Sequence, residues 1–167
     1  MSNCFTCQQK GKPVKIITLQ NLLKTEALAK LNITLNYFFC SEENCPVVYF
    51  NQQGQTLTIE ELKVPVYQKD KSKNVPVCYC FNWTRESIYQ KIKEGQQNDV
   101  ENSIKAQIKA QLCACEIKNP QGSCCLTNVG QTIDNFLSEL ELINDDEMIV
   151  LTPKLEILLF LCDYDEL

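Results

Sequence analysis

Phe38-Phe39-Cys40-Ser41-Glu42-Glu43-Asn44-Cys45-Pro46-Val47-Val48-Tyr49-Phe50 places two cysteines, with four residues between them, at the inner ends of two short aromatic and β-branched runs. Such runs read as strands, Tyr37 to Cys40 and Val47 to Phe50, with the polar Ser41 to Cys45 segment as the turn between them. A turn carrying two thiols completes a metal site if a second pair meets it, and Cys4-x2-Cys7 is such a pair. Two intervening residues let one tight turn aim both sulfurs at a common point, and the second turn provides the opposite edge of a tetrahedron. Tetrahedral S4 ligation fits zinc or iron. Four thiolates leave no open coordination position, so Cys4, Cys7, Cys40 and Cys45 read as a structural site whose filling is coupled to folding of a domain with little core.

Working outward, Val14 to Thr18 is β-prone, while Leu22, Leu23, Ala27, Leu28 and Leu31 recur at helical spacing. Short strands are expected around Thr56 to Thr58 and Val64 to Tyr67. Residues 1–70 thus form a small mixed α/β part, and Gln68-Lys69-Asp70-Lys71-Ser72-Lys73-Asn74 reads as a solvated turn or linker. Beyond it the chain is helical. Thr84 precedes Arg85, Glu86 and Ser87 as an N-cap, and Ile88 and Ile92 stripe a helix that ends near Gly95. Val100, Ile104, Ile108 and Leu112 repeat every four residues and lead directly into Cys113. A further helix from about Gln131 to Leu142 aligns Ile133, Phe136, Leu137 and Leu140. Met148 to Leu151 and Leu155 to Cys162, within the carboxy-terminal segment 131–167, are apolar enough to be packed on the domain as a strand pair or a strand and helix.

The fold class is therefore α+β, one compact domain or two small ones in 167 residues with 44% apolar and 22% charged side chains. There are 11 cysteines and no histidine. The lack of histidine excludes Ser-His-Asp and Cys-His catalysis, His-ligated zinc and Rieske-type clusters. With no paired acids or bases visible either, the chain does not read as an enzyme. A formal charge of -5 argues against nucleic acid or anionic membranes as partners. The first 15 residues hold no apolar signal-peptide core, so a cytoplasmic location is expected, where close-spaced cysteines are metal ligands or redox centres more often than disulfides.

A second cysteine group has a different pattern: Cys78-x-Cys80, then Cys113-x-Cys115, then Cys124-Cys125, with Cys162 alone. Cys78-x-Cys80 follows the β-prone Val75 to Val77 and is expected to lie on a turn that brings both sulfurs to one centre. The Asn119-Pro120-Gln121-Gly122 punctuation makes a tight loop that returns a later cysteine towards the first pair. Adjacent Cys124 and Cys125 divide into one ligand and one bystander. Six candidates for four positions suit a [2Fe-2S] cluster, two thiolates to each iron, and the spacing alone leaves a second zinc site open.

Together Cys4-x2-Cys7, the Phe38 to Phe50 stretch, Pro76-Val77-Cys78-Tyr79-Cys80-Phe81 and Asn119-Pro120-x-Gly122-x-Cys124-Cys125 resemble the amino-terminal domain of CopZ-type copper chaperones over roughly residues 4–130. That domain joins a zinc-binding part to a [2Fe-2S] part similar to the bacterioferritin-associated ferredoxin fold. The resemblance implies zinc ligands at Cys4, Cys7, Cys40 and Cys45, and cluster ligands at Cys78, Cys80, Cys115 and Cys125, within a helical cluster-binding part at 74–130. Cys115 is preferred to Cys113 because it stands four residues before the Asn-Pro step. Cys113 is then an extra thiol near the cluster.

Family members that deliver copper also carry a heavy-metal domain with a Met-x-Cys-x-x-Cys loop, a motif this sequence lacks. The resemblance therefore implies single-electron transfer to a partner or metal ion, in copper or other metal handling. All-cysteine ligation favours a donor of low potential, tuned by N–H groups of the Asn119 to Ser123 loop. The alternatives are a metal-stabilised interaction module and a copper carrier using Cys113, Cys124 and Cys162 as spare soft ligands. With eight thiolates, Zn2+ and an oxidised cluster bound, the charge moves from -5 to about -9. The expected partner is a redox or metal-handling protein with a basic docking surface, or a second copy in a homodimer.

Overall fold

The computed structural model describes residues 2–142. The expected elements at Met148 to Leu151 and Leu155 to Cys162, and Cys162 itself, lie outside the described residues.

Four antiparallel strands form the first half in the order β1 (Lys12–Val14), β2 (Tyr37–Phe39), β3 (Val47–Asn51) and β4 (Thr56–Thr58). The hairpin read from Phe38 to Phe50 is there, with Phe38 opposite Phe50 and Phe39 opposite Tyr49. Every residue of β3 is buried, because it separates two clusters. A register shift between Val47 and Tyr49 turns the adjacent Val48 and Tyr49 into one core with Leu19, Leu23 and Leu57, while Val47 and Phe50 join the cysteines on the other side. Gly11 is fixed by this second cluster: a Cβ there would lie 2.5 Å from Phe50 Cζ and 2.7 Å from Phe38 Cβ. Pro13 sits in edge strand β1, where a missing N–H is tolerated.

Two expectations change here. The β-prone Val14 to Thr18 run divides, β1 ending at Val14 and helix α1 spanning Ile16–Leu22, so that Thr18, Leu19 and Leu22 become buried. The helical repeat from Leu22 to Leu31 is broken where Leu23 bridges to Leu62, leaving only the short α2 (Thr25–Leu28). Val64 to Tyr67 forms no strand. Val66 instead accepts turn hydrogen bonds from the amides of Lys69 and Asp70.

In the second half, β5 (Pro76–Cys78) and β6 (Trp83–Thr84) make a small hairpin that feeds α3 (Arg85–Lys93). Thr84 caps α3 reciprocally with Ser87, and Gly95 closes it at φ 70°. Helix α4 (Gln97–Lys109) buries Val100 and Ile104. It stops at Lys109 because Gln111 takes φ 60°, so Leu112 leaves the expected stripe and is 62% exposed. After α5 (Cys115–Lys118) a last helix, α6, runs from 126 to the end of the described residues at 142. It starts before Gln131 because Leu126 and Val129 extend the apolar face, joining Ile133, Ile88 and Ile104 in one core. Tyr89 and Phe136 meet edge to face across this core.

The halves share a seam. Helix α1 lies against α5, Thr18 Oγ1 donates to the Glu116 carbonyl at 2.6 Å, and buried Tyr49 donates to the Pro120 carbonyl at 2.8 Å. The polar 68–74 segment is part of this seam and not a solvated linker. Lys69 Nζ donates to the carbonyls of Glu42 and Cys45, Gln68 to the Gln121 side chain, and Arg85 to the carbonyls of Tyr67 and Asp70 while stacked 4.4 Å over the Tyr67 ring.

Candidate metal centres

Cys4 and Cys7 lie on a turn closed by hydrogen bonds from Gln8 N to Cys4 O and from Cys4 N to Gln9 O, with Gln8 at φ 62°. Cys40 and Cys45 bracket the β2–β3 turn. All four sulfurs lie within 4.8 Å of one another, with Cys4 to Cys45 at 3.8 Å and Cys7 to Cys40 at 3.5 Å. Zn–S bonds of ~2.3 Å at tetrahedral angles place sulfurs about 3.8 Å apart, so the group has the dimensions of a closed S4 site.

The surroundings prepare these thiols unequally. Burial acts to raise Cys4, but amides of Cys7 and Thr6 with the neighbouring thiols outweigh it and hold Cys4 below the ordinary thiol value. Burial pushes Cys40 and Cys45 up, opposed by the amides of Glu42 and Val47 and, at Cys40, by the Lys69 charge. A bound dication overrides this difference, since a coordinated thiol is deprotonated.

The second centre lies at the turn after β5. Cys78 ends the strand and Cys80 sits in the turn, where Asn82 at φ 55° lets the chain reverse. Cys80 Sγ stands 3.5 Å from Cys115 Sγ and accepts a hydrogen bond from Ala114 N at 3.3 Å. Cys125 is buried in the same core cluster as Cys78, whereas Cys124 is exposed. The Asn119 loop makes that choice: its side chain receives Gln121 N and donates to Ser123 O, Gly122 turns at φ 67°, and Gln121 Nε2 holds Cys124 O. Of the expected ligands the structure groups Cys80 and Cys115 within 4.8 Å, while Cys78 and Cys125 are buried in the adjoining core and stand outside that group of sulfurs. Cys113 joins the group, 3.8 Å from Cys80 and 3.3 Å from Cys115.

Contacts from Cys125 lower Cys115 to about 5 and Cys78 to about 7, while burial pushes Cys80 up to about 12. The amide of Ala114 donates to Cys80, and the backbone around Phe81 and Cys80 helps to hold Cys78 down. Within the Asn119 to Ser123 loop the Asn119 amide donates to Cys115 O, and the Gln121 and Gly122 amides close on Asn119, so these three donate to oxygen and not to sulfur. Sequence spacing held no signal for this. All ten described cysteines are free thiols. Among the described residues no helix is long and apolar enough to cross a membrane.

An all-cysteine tetrahedral group on a small antiparallel sheet, joined to a thiol-rich helical part, defines a cysteine-ligated metal protein of α+β fold. Residues 1–63 match the family model described as "Zinc binding domain", of the CopZ type. The chain is 33% identical over 126 residues to the copper chaperone CopZ of Archaeoglobus fulgidus, covering 75% of this chain and 58% of that protein. The X-ray structure of the Archaeoglobus fulgidus CopZ N-terminal domain superposes with a TM-score of 0.65 at 28% identity, covering 78% of this chain and 96% of that one. Residues 1–63 thus match a CopZ-type zinc-binding domain, and the chain is similar to the CopZ N-terminal domain, as the motifs had indicated. It spans 58% of the length of the copper chaperone it matches.

Proposed function

We propose that this is a two-centre metal protein in which Zn2+ at Cys4, Cys7, Cys40 and Cys45 braces the fold and a [2Fe-2S] cluster at Cys78, Cys80, Cys115 and Cys125 passes single electrons to a metal-handling partner. The observation that carries the reading is a second convergence of thiols, Cys80, Cys113 and Cys115 within 4.8 Å of one another, with Cys78 and Cys125 buried in the core beside them. The donor chemistry fits: soft thiolates in a partly buried, histidine-free pocket suit an iron-sulfur cluster, whose role when bound is to take up or release one electron. The chain's part is to supply the thiolates, to place amides of Ala114 and Phe81 against them, and to limit water at Cys78 and Cys125, each 1% exposed. The match to a copper chaperone supports metal handling as the setting, with copper as the metal concerned.

The test is purification without oxygen, followed by visible spectroscopy and by counts of iron, sulfide and zinc per chain. Colour, iron, sulfide and one zinc are expected. A colourless protein with zinc in both sites would favour the alternative of two structural metals and a pure interaction role. Cys80→Ala should abolish the colour, whereas Cys4→Ala should remove zinc and lower stability first.

A further inference from the structure

A cluster iron accepts two protein thiolates, yet Cys80 faces two candidates of the same reach. Cys115 lies 3.5 Å from Cys80 and Cys113 lies 3.8 Å away, and all three sulfurs fall within 4.8 Å of one another. Both distances suit an edge of a tetrahedron on a thiolate-bound metal. Residue spacing makes the coincidence possible. Cys113 and Cys115 flank Ala114, whose amide is anchored to Cys80 Sγ at 3.3 Å, so the two side chains are placed about one fixed peptide. Gln111 at φ 60° ends the preceding helical turn, which turns Cys113 inward instead of continuing the surface of α4. Cys113 is half-buried and Cys115 buried, so either sulfur is largely shielded.

We propose that Cys113 and Cys115 are alternate ligands, exchanging as the thiolate that completes the iron beside Cys80. This rests on the cluster reading above. In the exchange Cys113 gives up its thiol proton as its sulfur bonds iron, and Cys115 takes up a proton as its sulfur leaves. Charge and electron count are unchanged. The effect is a cluster that survives loss of one ligand, by substitution or by capping of a single thiol.

The experiment compares wild type, Cys113→Ala, Cys115→Ala and the double variant, alanine being chosen because a serine oxygen could itself bind iron. Each is assayed for iron, sulfide and zinc per chain and, after reduction, by low-temperature EPR. Wild type without iron or sulfide would sink the cluster reading itself. Given a wild-type cluster, alternation predicts that each single variant keeps most of its iron and sulfide, that Cys115→Ala shows shifted EPR features, and that the double variant loses both iron and sulfide while keeping zinc. Loss in Cys115→Ala as complete as in the double variant, with zinc retained, overturns it. Should Cys115→Ala fail to fold, Cys115→Val refills the buried volume. Independently of either, wild type should show two overlapping EPR species that become one in Cys113→Ala, and a single species identical in both proteins overturns the exchange.

Discussion

Replacing Tyr49 by phenylalanine removes one oxygen atom from the seam between the two halves. Tyr49 is fully buried, and its hydroxyl donates to the Pro120 carbonyl at 2.8 Å, in a loop that is itself buried. The ring contacts with Phe39 and the core survive the change, so no cavity larger than an oxygen is created. What is lost is the partner of a buried carbonyl. Leaving such a group unsatisfied costs about 1–3 kcal/mol, a roughly 5- to 150-fold shift towards the opened seam. Pro120 stands between Cys115 and Cys125, so the opened state is also the state in which these proposed cluster ligands would be released. Denaturant unfolding of the zinc-loaded variant should therefore show a lower midpoint at unchanged slope. Iron release to a chelator should quicken by a similar factor. Tyr37→Phe is the control, since its hydroxyl donates to Gln55, away from the seam, at 2.7 Å. That variant should lose stability without faster iron release. Equal release rates in Tyr49→Phe and wild type would refute the argument that the seam guards the second centre, and an unchanged midpoint would refute the energetic one.

Gly11→Ala forces a methyl group to within 2.5 Å of Phe50 Cζ, and overpacking of this kind should cost about 1–3 kcal/mol and weaken zinc retention, read by thermal melting and competition with a zinc dye. Thr84→Ala removes the reciprocal cap with Ser87 and should cost about 1 kcal/mol with metal content unchanged, which separates helix stability from site integrity. Burial raises the phenol pKa of Tyr49 and Tyr79, so the folded state holds protons that the unfolded state releases near 10. Their contribution is complete below that value and is lost as pH rises beyond it. Unfolding free energy measured between pH 8 and 11 should fall, less steeply in Tyr49→Phe.

The first metal centre was legible because its signals are local. Two residues between Cys4 and Cys7, and a strand-forming run on each side of Cys40 and Cys45, state both the turn and the hairpin that present the sulfurs. That Cys125 is buried and Cys124 exposed was not legible in the spacing, since it depends on Asn119 and Gln121 side chains folding back onto the Ser123 and Cys124 carbonyls. Periodicity failed where tertiary pairing overrode it. Leu23 fits a helical repeat but bridges to Leu62, and Ile16 to Thr18 favour a strand but enter a helix that buries Thr18 against Glu116. The closeness of Cys113 to Cys80 follows from the left-handed turn at Gln111, a residue whose identity does not announce that conformation.

The 68–74 segment shows why composition misleads about a boundary. Four lysine and aspartate side chains in a row of polar residues read as solvated, yet a lysine head can donate to carbonyls while its stem crosses a surface. Lys69 does this at Glu42 and Cys45, on the very turn that presents two sulfurs of the first centre. A few residues earlier, Tyr67 N donates to the hydroxyl of Tyr79, and Tyr79 donates to Pro65 O. Tyr79 stands between Cys78 and Cys80. One short strap is thus fastened at one end to the first thiol turn and at the other to the second, with Arg85 clamping its carbonyls from α3. Ordering either turn by a metal restricts the strap, and the restricted strap lowers the entropy that the other turn must lose on binding its own metal. Metal uptake at the two proposed centres should therefore be cooperative through the segment that the sequence presents as a divider, zinc-loaded protein taking up iron more readily than metal-free protein in parallel titrations.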